Sequence, residues 1–123
     1  MAKVVLDTNF ILNCVANKLD FFDEILMKGH IIQIPLQVIE EIKRLKNSSK
    51  AVRFREQANL ALKLIEVNDF EKIDVPGRYV DVGLRKYLGE NPKIILGTMD
   101  KELKKSVKNR KMVVRNKKKL ELQ

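Results

Sequence analysis

Five short, β-branched runs punctuate this chain, and no other feature constrains its fold as tightly. They are Lys3-Val-Val-Leu6, His30-Ile-Ile-Gln-Ile34, Phe70-Glu-Lys-Ile-Asp-Val75, Lys93-Ile-Ile-Leu-Gly97 and Met112-Val-Val-Arg115, with helical periodicity between them. Apolar runs of this length are the pattern of strands buried on both faces. Strand and helix in alternation imply right-handed crossovers, so the predicted fold is α/β, with a central parallel sheet of about five strands and helices on both faces. At 123 residues the chain has room for one domain, 1–123, and no linker divides it. Asn47-Ser-Ser-Lys50 and Pro76-Gly77 read as loops.

Open parallel sheets place ligands at the carboxyl ends of their strands, near the point where the strand order reverses. Asp7 directly follows the first run, and Asp100 lies three residues beyond Gly97 in the first turn of a helix running to Val107. If the first and fourth strands are neighbours, the two carboxylates share one edge. Two more acids border the core by helical geometry at about 100° per residue. In the helix opened by Pro35 at its first position, the stripe Val38, Ile42, Leu45 leaves Glu41 on its flank, whereas Glu40 faces water. In the helix beginning near Tyr79, the stripe Val80, Leu84, Tyr87, Leu88 likewise leaves Asp81 beside it.

Each acid has a plain structural role open to it. Asp81 and Asp100 suit helix first turns, with Thr98 as the N-cap of the latter; Asp7 can cap a helix, and Glu41 can pair with a neighbouring Lys or Arg. Capping explains each acid separately, but not why four converge on one crevice. Packed together they repel and raise one another's pKa values unless a cation neutralises them, and a hard divalent ion, Mg²⁺ or Mn²⁺, suits an all-oxygen set.

The residues that carry a family resemblance are Val4-Val-Leu-Asp-Thr-Asn9, Val38-Ile-Glu-Glu-Ile-Lys-Arg-Leu45 and Ile94-Ile-Leu-Gly-Thr-Met-Asp-Lys-Glu-Leu103. In this order the chain resembles a PIN domain over nearly its whole length. With its basic end, Lys117-Lys-Lys-Leu-Glu-Leu122, it is most similar to small archaeal members of the branch related to ribosomal-RNA-processing PIN proteins. The resemblance implies a three-layer α/β/α, Rossmann-like domain and a metal-dependent endoribonuclease. It also implies Asp7, Glu41, Asp81 and Asp100 as catalytic and metal-site acids, Asn9 and Thr98 as supporting polar groups, single-stranded RNA as substrate and a homodimer. Two positions depart from the family pattern: Val82, where relatives often carry a second acid, and Met99, where they commonly carry Asn. A competing reading is therefore an RNA-binding or ribosome-assembly module with weakened chemistry. Another is the toxin of a toxin–antitoxin pair, with an antitoxin as partner.

Charge distribution fits a polyanionic substrate. The formal charge is +9, and from Lys101 onward ten Lys/Arg stand against two Glu, while residues 1–100 are nearly balanced, fifteen against fourteen. Lys104, Lys105, Lys108, Arg110 and Lys111, together with Arg53 and Arg55, are the candidate phosphate-binding residues. Aromatic residues fall in apolar patterns and offer no stacking platform, so Tyr79, Tyr87 and most of the Phe are expected in the core. His30 reads as a surface turn residue and Cys14 as a buried filler, without a His/Cys cluster for zinc. Asn9 occupies the place where aspartyl-phosphate chemistry usually has a second Asp, and no Gly-rich phosphate loop is present. Without an apolar run of roughly 18 to 20 residues or a secretory leader pattern, the chain is expected to be soluble and cytoplasmic.

Overall fold

The computed structural model describes all residues from Met1 to Gln123. Its elements are β1 (Lys3–Leu6), α1 (Thr8–Ala16), α2 (Phe21–Met27), β2 (Ile31–Pro35), α3 (Leu36–Lys46), α4 (Val52–Val67), β3 (Glu71–Ile73), α5 (Val80–Glu90), β4 (Ile95–Gly97), α6 (Lys101–Ser106), β5 (Lys111–Arg115) and β6 (Lys119–Leu122). The sheet order is β3-β2-β1-β4-β5-β6, parallel except for the β5–β6 pair. β1 and β4 are hydrogen-bonded neighbours, Leu6 beside Gly97, and the chain reverses its direction of strand addition between them.

The expected α/β class and helices on both faces hold, and a sixth strand joins the five expected. Lys119-Leu-Glu-Leu122 folds back on β5 through a turn in which Asn116 and Lys117 are both left-handed, at φ 54° and 58°. Left-handed residues at both central positions match the twist of an antiparallel ribbon. Arg115 and Glu121 close the pair by two hydrogen bonds of 2.7 Å each. The alternation of Leu120 and Leu122 with Lys119 and Glu121 was the strand signal, hidden behind three consecutive lysines.

Strand alternation divides the core between the two faces. Val4, Leu6, Ile32, Ile34 and Ile95 pack with residues of α1 to α4 in a cluster of 22. Val5 and Leu96 turn the other way, to a cluster of 8 shared with α5 and the α6 region. The smaller layer is correspondingly pinned by polar contacts. The Tyr87 hydroxyl of α5 donates to Gln33 Oε1 at 2.7 Å, and buried Gln33 donates in turn to Glu71 at 2.8 Å. Gln37 of α3 bonds Asp74 and both backbone groups of Val75, which steadies the segment entering α5.

Local details bear on the reading of several other residues. Pro35 ends β2 and occupies the N-cap of α3 rather than its first helical position, its ψ of 139° still extended. Cys14 is fully buried, as expected, and burial with the nearby charge of Glu24 pushes its thiol up to about 12. Phe54, by contrast with the buried Phe10, Phe21 and Phe22, stands 39% exposed on α4, and Tyr79, expected in the core, is instead 65% exposed at the N-cap of α5. No helix is long and apolar enough to cross a membrane.

Candidate functional site

Asp7 is the residue on which the carboxyl edge of the sheet turns. β1 passes into α1 with only Asp7 between them, so its backbone is still extended, its N–H pairs with Gly97 O at 3.1 Å, and its side chain caps the new helix. Oδ1 accepts from the Phe10 N–H at 2.8 Å, and Oδ2 accepts a short hydrogen bond from the Thr98 hydroxyl. Thr98 is fully buried just beyond β4, and its Oγ1 in turn accepts from the Asp100 N–H at 3.0 Å. Asp100, not Thr98, is the N-cap of α6; Oδ1 takes the N–H groups of Glu102 and Leu103. A Thr so placed has its hydroxyl committed to the acid across the strand pair, which leaves capping to the next polar residue.

Glu41 reaches the same edge from α3. It is solvent-exposed, and its Oε2 accepts from Thr8 Oγ1 at 3.0 Å, so the residue next to Asp7 in sequence holds the next acid in space. Sequence reading missed Thr8; its position immediately after the strand-end acid was the available signal. Asp81 lies exposed in the first turn of α5, a helix whose N-cap Tyr79 provides no side-chain bond. Asn9 is exposed on α1 beside Thr8.

The position of Asp81 depends on a close contact. A Cβ built on Gly83 would stand 2.2 Å from the Pro76 carbonyl oxygen and 2.9 Å from Val75 Cγ2. We therefore expect Gly83→Ala to displace the first turn of α5 and to destabilise the protein by roughly 1 to 3 kcal/mol, as overpacking against backbone does. A urea midpoint unchanged from wild type would refute this contact.

Burial and neighbouring charge act together on Asp7. Asp7 is 6% exposed, and burial is the main cause that pushes its carboxyl up to about 6; the hydrogen bonds from Thr98 and Phe10 oppose this, and the charges of Asp100 and Asp81 raise it further. A buried carboxylate whose ionisation is disfavoured beside other oxygen-only donors suits a hard divalent cation, whose charge reverses the sign of the coupling. No three Asp, Glu, His or Cys groups close on one point. Mg²⁺ sites can use only one or two carboxylates, with waters and substrate phosphate completing the shell, and Asp7 and Asp100 offer two at this edge.

From Glu41 a groove of about 720 Å³ continues between α1 and α3 and ends against α4. Arg44, Lys50 and Phe54 line it, none of them singled out from sequence, although Arg44 shares Glu41's helical face at i+3. Of the expected phosphate-binding residues, Arg53 instead lies over the Phe54 ring at 4.7 Å, and Arg55 Nε donates to Lys50 O at 3.0 Å, so both brace the groove's end wall. Lys104 and Lys105 occupy the last turn of α6, the helix that starts at Asp100.

Lys108, Arg110 and Lys111 are not brought to the acids. They lead into β5 at the amino edge of the sheet, where Asn109 between them donates to the carbonyls of Leu88, Asn91 and Ile94 just ahead of β4. Lys111 Nζ is occupied by Val107 O at 2.8 Å. The basic lysines at the acidic edge are Lys117 and Lys118, in the turn that follows the carboxyl end of β5, and Lys119, which opens β6. A linear run of positive charge was read as one patch, but β5 runs through it and separates its halves.

Comparison with known proteins agrees with this architecture. The family model described as PIN domain matches residues 4–113. Ribonuclease VapC4 of Methanocaldococcus jannaschii is 33% identical over 128 aligned residues, covering 99% of this chain and 97% of that one. Among solved structures, that of the PIN domain endonuclease Utp24 superposes with a TM-score of 0.78 at 27% identity, covering 98% of this chain and 90% of the other. PAE2754 from Pyrobaculum aerophilum shares the fold, with a TM-score of 0.62 at 15% identity over 88% and 87% of the two chains.

Proposed function

The chain belongs to the PIN-domain family, and from that premise we propose that it is a divalent-metal-dependent endoribonuclease acting on single-stranded RNA. The observation that carries the reading is that Asp7 and Asp100 meet at the switch point of the sheet, joined through Thr98. Support for RNA as substrate comes from the relative named as a ribonuclease, and for internal cleavage from the one named as an endonuclease.

Asp7 and Asp100 would hold Mg²⁺ or Mn²⁺ directly, Glu41 and Asp81 directly or through water. Bound there, the ion supplies a water of lowered pKa and stabilises charge on the attacked phosphate. The protein's own contribution is preorganisation. Thr98 and the Phe10 N–H fix both Asp7 oxygens, and Thr8 orients Glu41. Asp100 caps α6 through Oδ1, which leaves Oδ2 for a ligand. No side-chain nucleophile is required, because water attacks. Arg44 and Lys50 in the groove, Lys104 and Lys105 on α6, and Lys117 to Lys119 at the β5–β6 turn are the groups we assign to the RNA phosphates.

The competing reading is a binding module with weakened chemistry, on the grounds of Val82 and Met99. Met99 packs against the larger core, and its Sδ accepts from the Val114 N–H at 3.3 Å, so a contact to β5 stands where relatives commonly carry Asn. Ribosomal-RNA processing, a homodimer, a cytoplasmic setting and an antitoxin or ribosome-assembly partner belong to the same proposal through the family resemblance alone.

Cleavage of a labelled structured RNA in Mn²⁺, Mg²⁺ or EDTA tests it. We expect metal-dependent cutting that EDTA stops and that Asp100→Asn reduces by more than about 100-fold, on the scale of losses at metal sites. Cutting by wild type no faster than by Asp100→Asn in either metal, with RNA binding intact, would leave an RNA-binding module.

A further inference from the structure

We infer that the groove leading from Glu41 is a stacking subsite for an unpaired base flanking the scissile phosphate, with Phe54 as its platform. The inference rests on the endoribonuclease reading and adds a specificity-determining residue to it.

The geometry points to a nucleotide rather than to an apolar partner. Along α1 the wall is Thr8, Leu12 and Ala16, one helical face about 12 Å long at 1.5 Å per residue. The facing wall on α3 begins with Glu41, which Thr8 joins to the acid group, and continues through Arg44. A strand whose phosphate lies at the acids is therefore directed along the groove. Amide side chains of Asn9, Asn13 and Gln57 line it, of the type that hydrogen-bonds base edges, and Arg44 and Lys50 supply positive charge for the backbone. A surface that buried an apolar helix would not carry two cations and three amides among its lining.

At the far end Phe54 is the aromatic ring that lines the groove, while the other strongly exposed aromatic, Tyr79, lies outside it. The Arg53 guanidinium covers it at 4.7 Å from the centroid. A ring with a cation on one side is held in place, and its groove side is free to receive a base; such stacking tolerates any base, because every base has a π face. Arg55 holds the Lys50 carbonyl at 3.0 Å, which ties the loop before α4 to the helix that carries Phe54. The arrangement joins Arg44, Lys50, the Phe54 ring and Glu41 in one continuous surface.

The chain contains no tryptophan, so Phe54→Trp introduces a single reporter at the platform. In the Asp7→Asn background, which separates binding from cutting, we expect short single-stranded RNA to quench the emission of this Trp. An RNA with an abasic nucleotide beside the cleavage position should bind about tenfold more weakly than its parent. Phe54→Leu should remove most of that difference, matching the scale of one stacked base. Anisotropy-detected RNA binding with Trp emission unchanged, or no RNA binding at all, overturns the subsite. So does Trp emission that shifts with protein concentration before RNA is added, because then a second copy of the chain occupies the groove. Wild-type cleavage is scored separately: quenching without cleavage sinks the nuclease reading and keeps the subsite, and cleavage without quenching does the reverse.

Discussion

Asp7→Asn is expected to abolish metal-dependent RNA cleavage and, at the same time, to make the metal-free protein more stable at pH 7. The first effect follows from removing the charge on which the proposed metal site centres, and we expect a loss of more than about 100-fold with the RNA-binding affinity largely kept. The second follows from burial. The Asp7 carboxyl is pushed up to about 6 in the folded state from 3.8, so the folded protein binds this proton more tightly than the unfolded chain does. Its ionisation therefore opposes folding in full above pH 6, by at most about 3 kcal/mol at 1.36 kcal/mol per pKa unit. The cost falls away as pH drops through 6, and it is absent below about 3.8. Asn carries no charge, still accepts the Phe10 N–H as an N-cap, and bonds Thr98 less strongly. A net gain of roughly 1 to 2 kcal/mol at pH 7, about 3 to 5 °C in Tm per kcal/mol, is the expected outcome in EDTA. The gain should vanish near pH 4. Thermal melts of both proteins from pH 4 to 8 measure it, and a variant less stable than wild type at pH 7 would contradict the assigned burial cost.

Thr98→Val should produce the second large effect. The buried hydroxyl donates to Asp7 and accepts from the Asp100 N–H, so its loss leaves a carboxylate oxygen and a backbone N–H without partners. A lost hydrogen bond to a charged group costs about 1.5 to 3 kcal/mol of stability. Because that bond lowers the Asp7 pKa, Val shifts the carboxyl above about 6. A carboxyl-carbon NMR titration in EDTA reads this shift directly. Cleavage at pH 7 should drop about 10- to 100-fold, as for other residues that orient metal ligands, with part of the loss recovered at higher pH. A folding defect alone would lower activity equally at all pH values. An unchanged Asp7 titration, or activity within twofold of wild type across the range, would remove Thr98 from its orienting role.

What could be read from the residues was what local pattern encodes. Short β-branched runs alternating with helices specified the parallel sheet, and the carboxyl-edge rule located Asp7 and Asp100, because a residue just after a strand has only one edge to occupy. Glu41 and Asp81 were legible as acids flanking buried stripes, a matter of angle around one helix. Tertiary structure decided everything that joins separate elements. Thr8 on Glu41 and Thr98 on Asp7 are contacts set by packing, between partners 33 and 91 residues apart. It also decided which charges act together: Lys108, Arg110 and Lys111 fall on the edge away from the acids while Lys117 to Lys119 fall on theirs, although only a few residues separate them in sequence. A strand carries its two ends to opposite edges of a sheet, so proximity along the chain implies nothing about a shared field. The acids, distant in sequence, share one because β1 and β4 pair at the reversal of strand order.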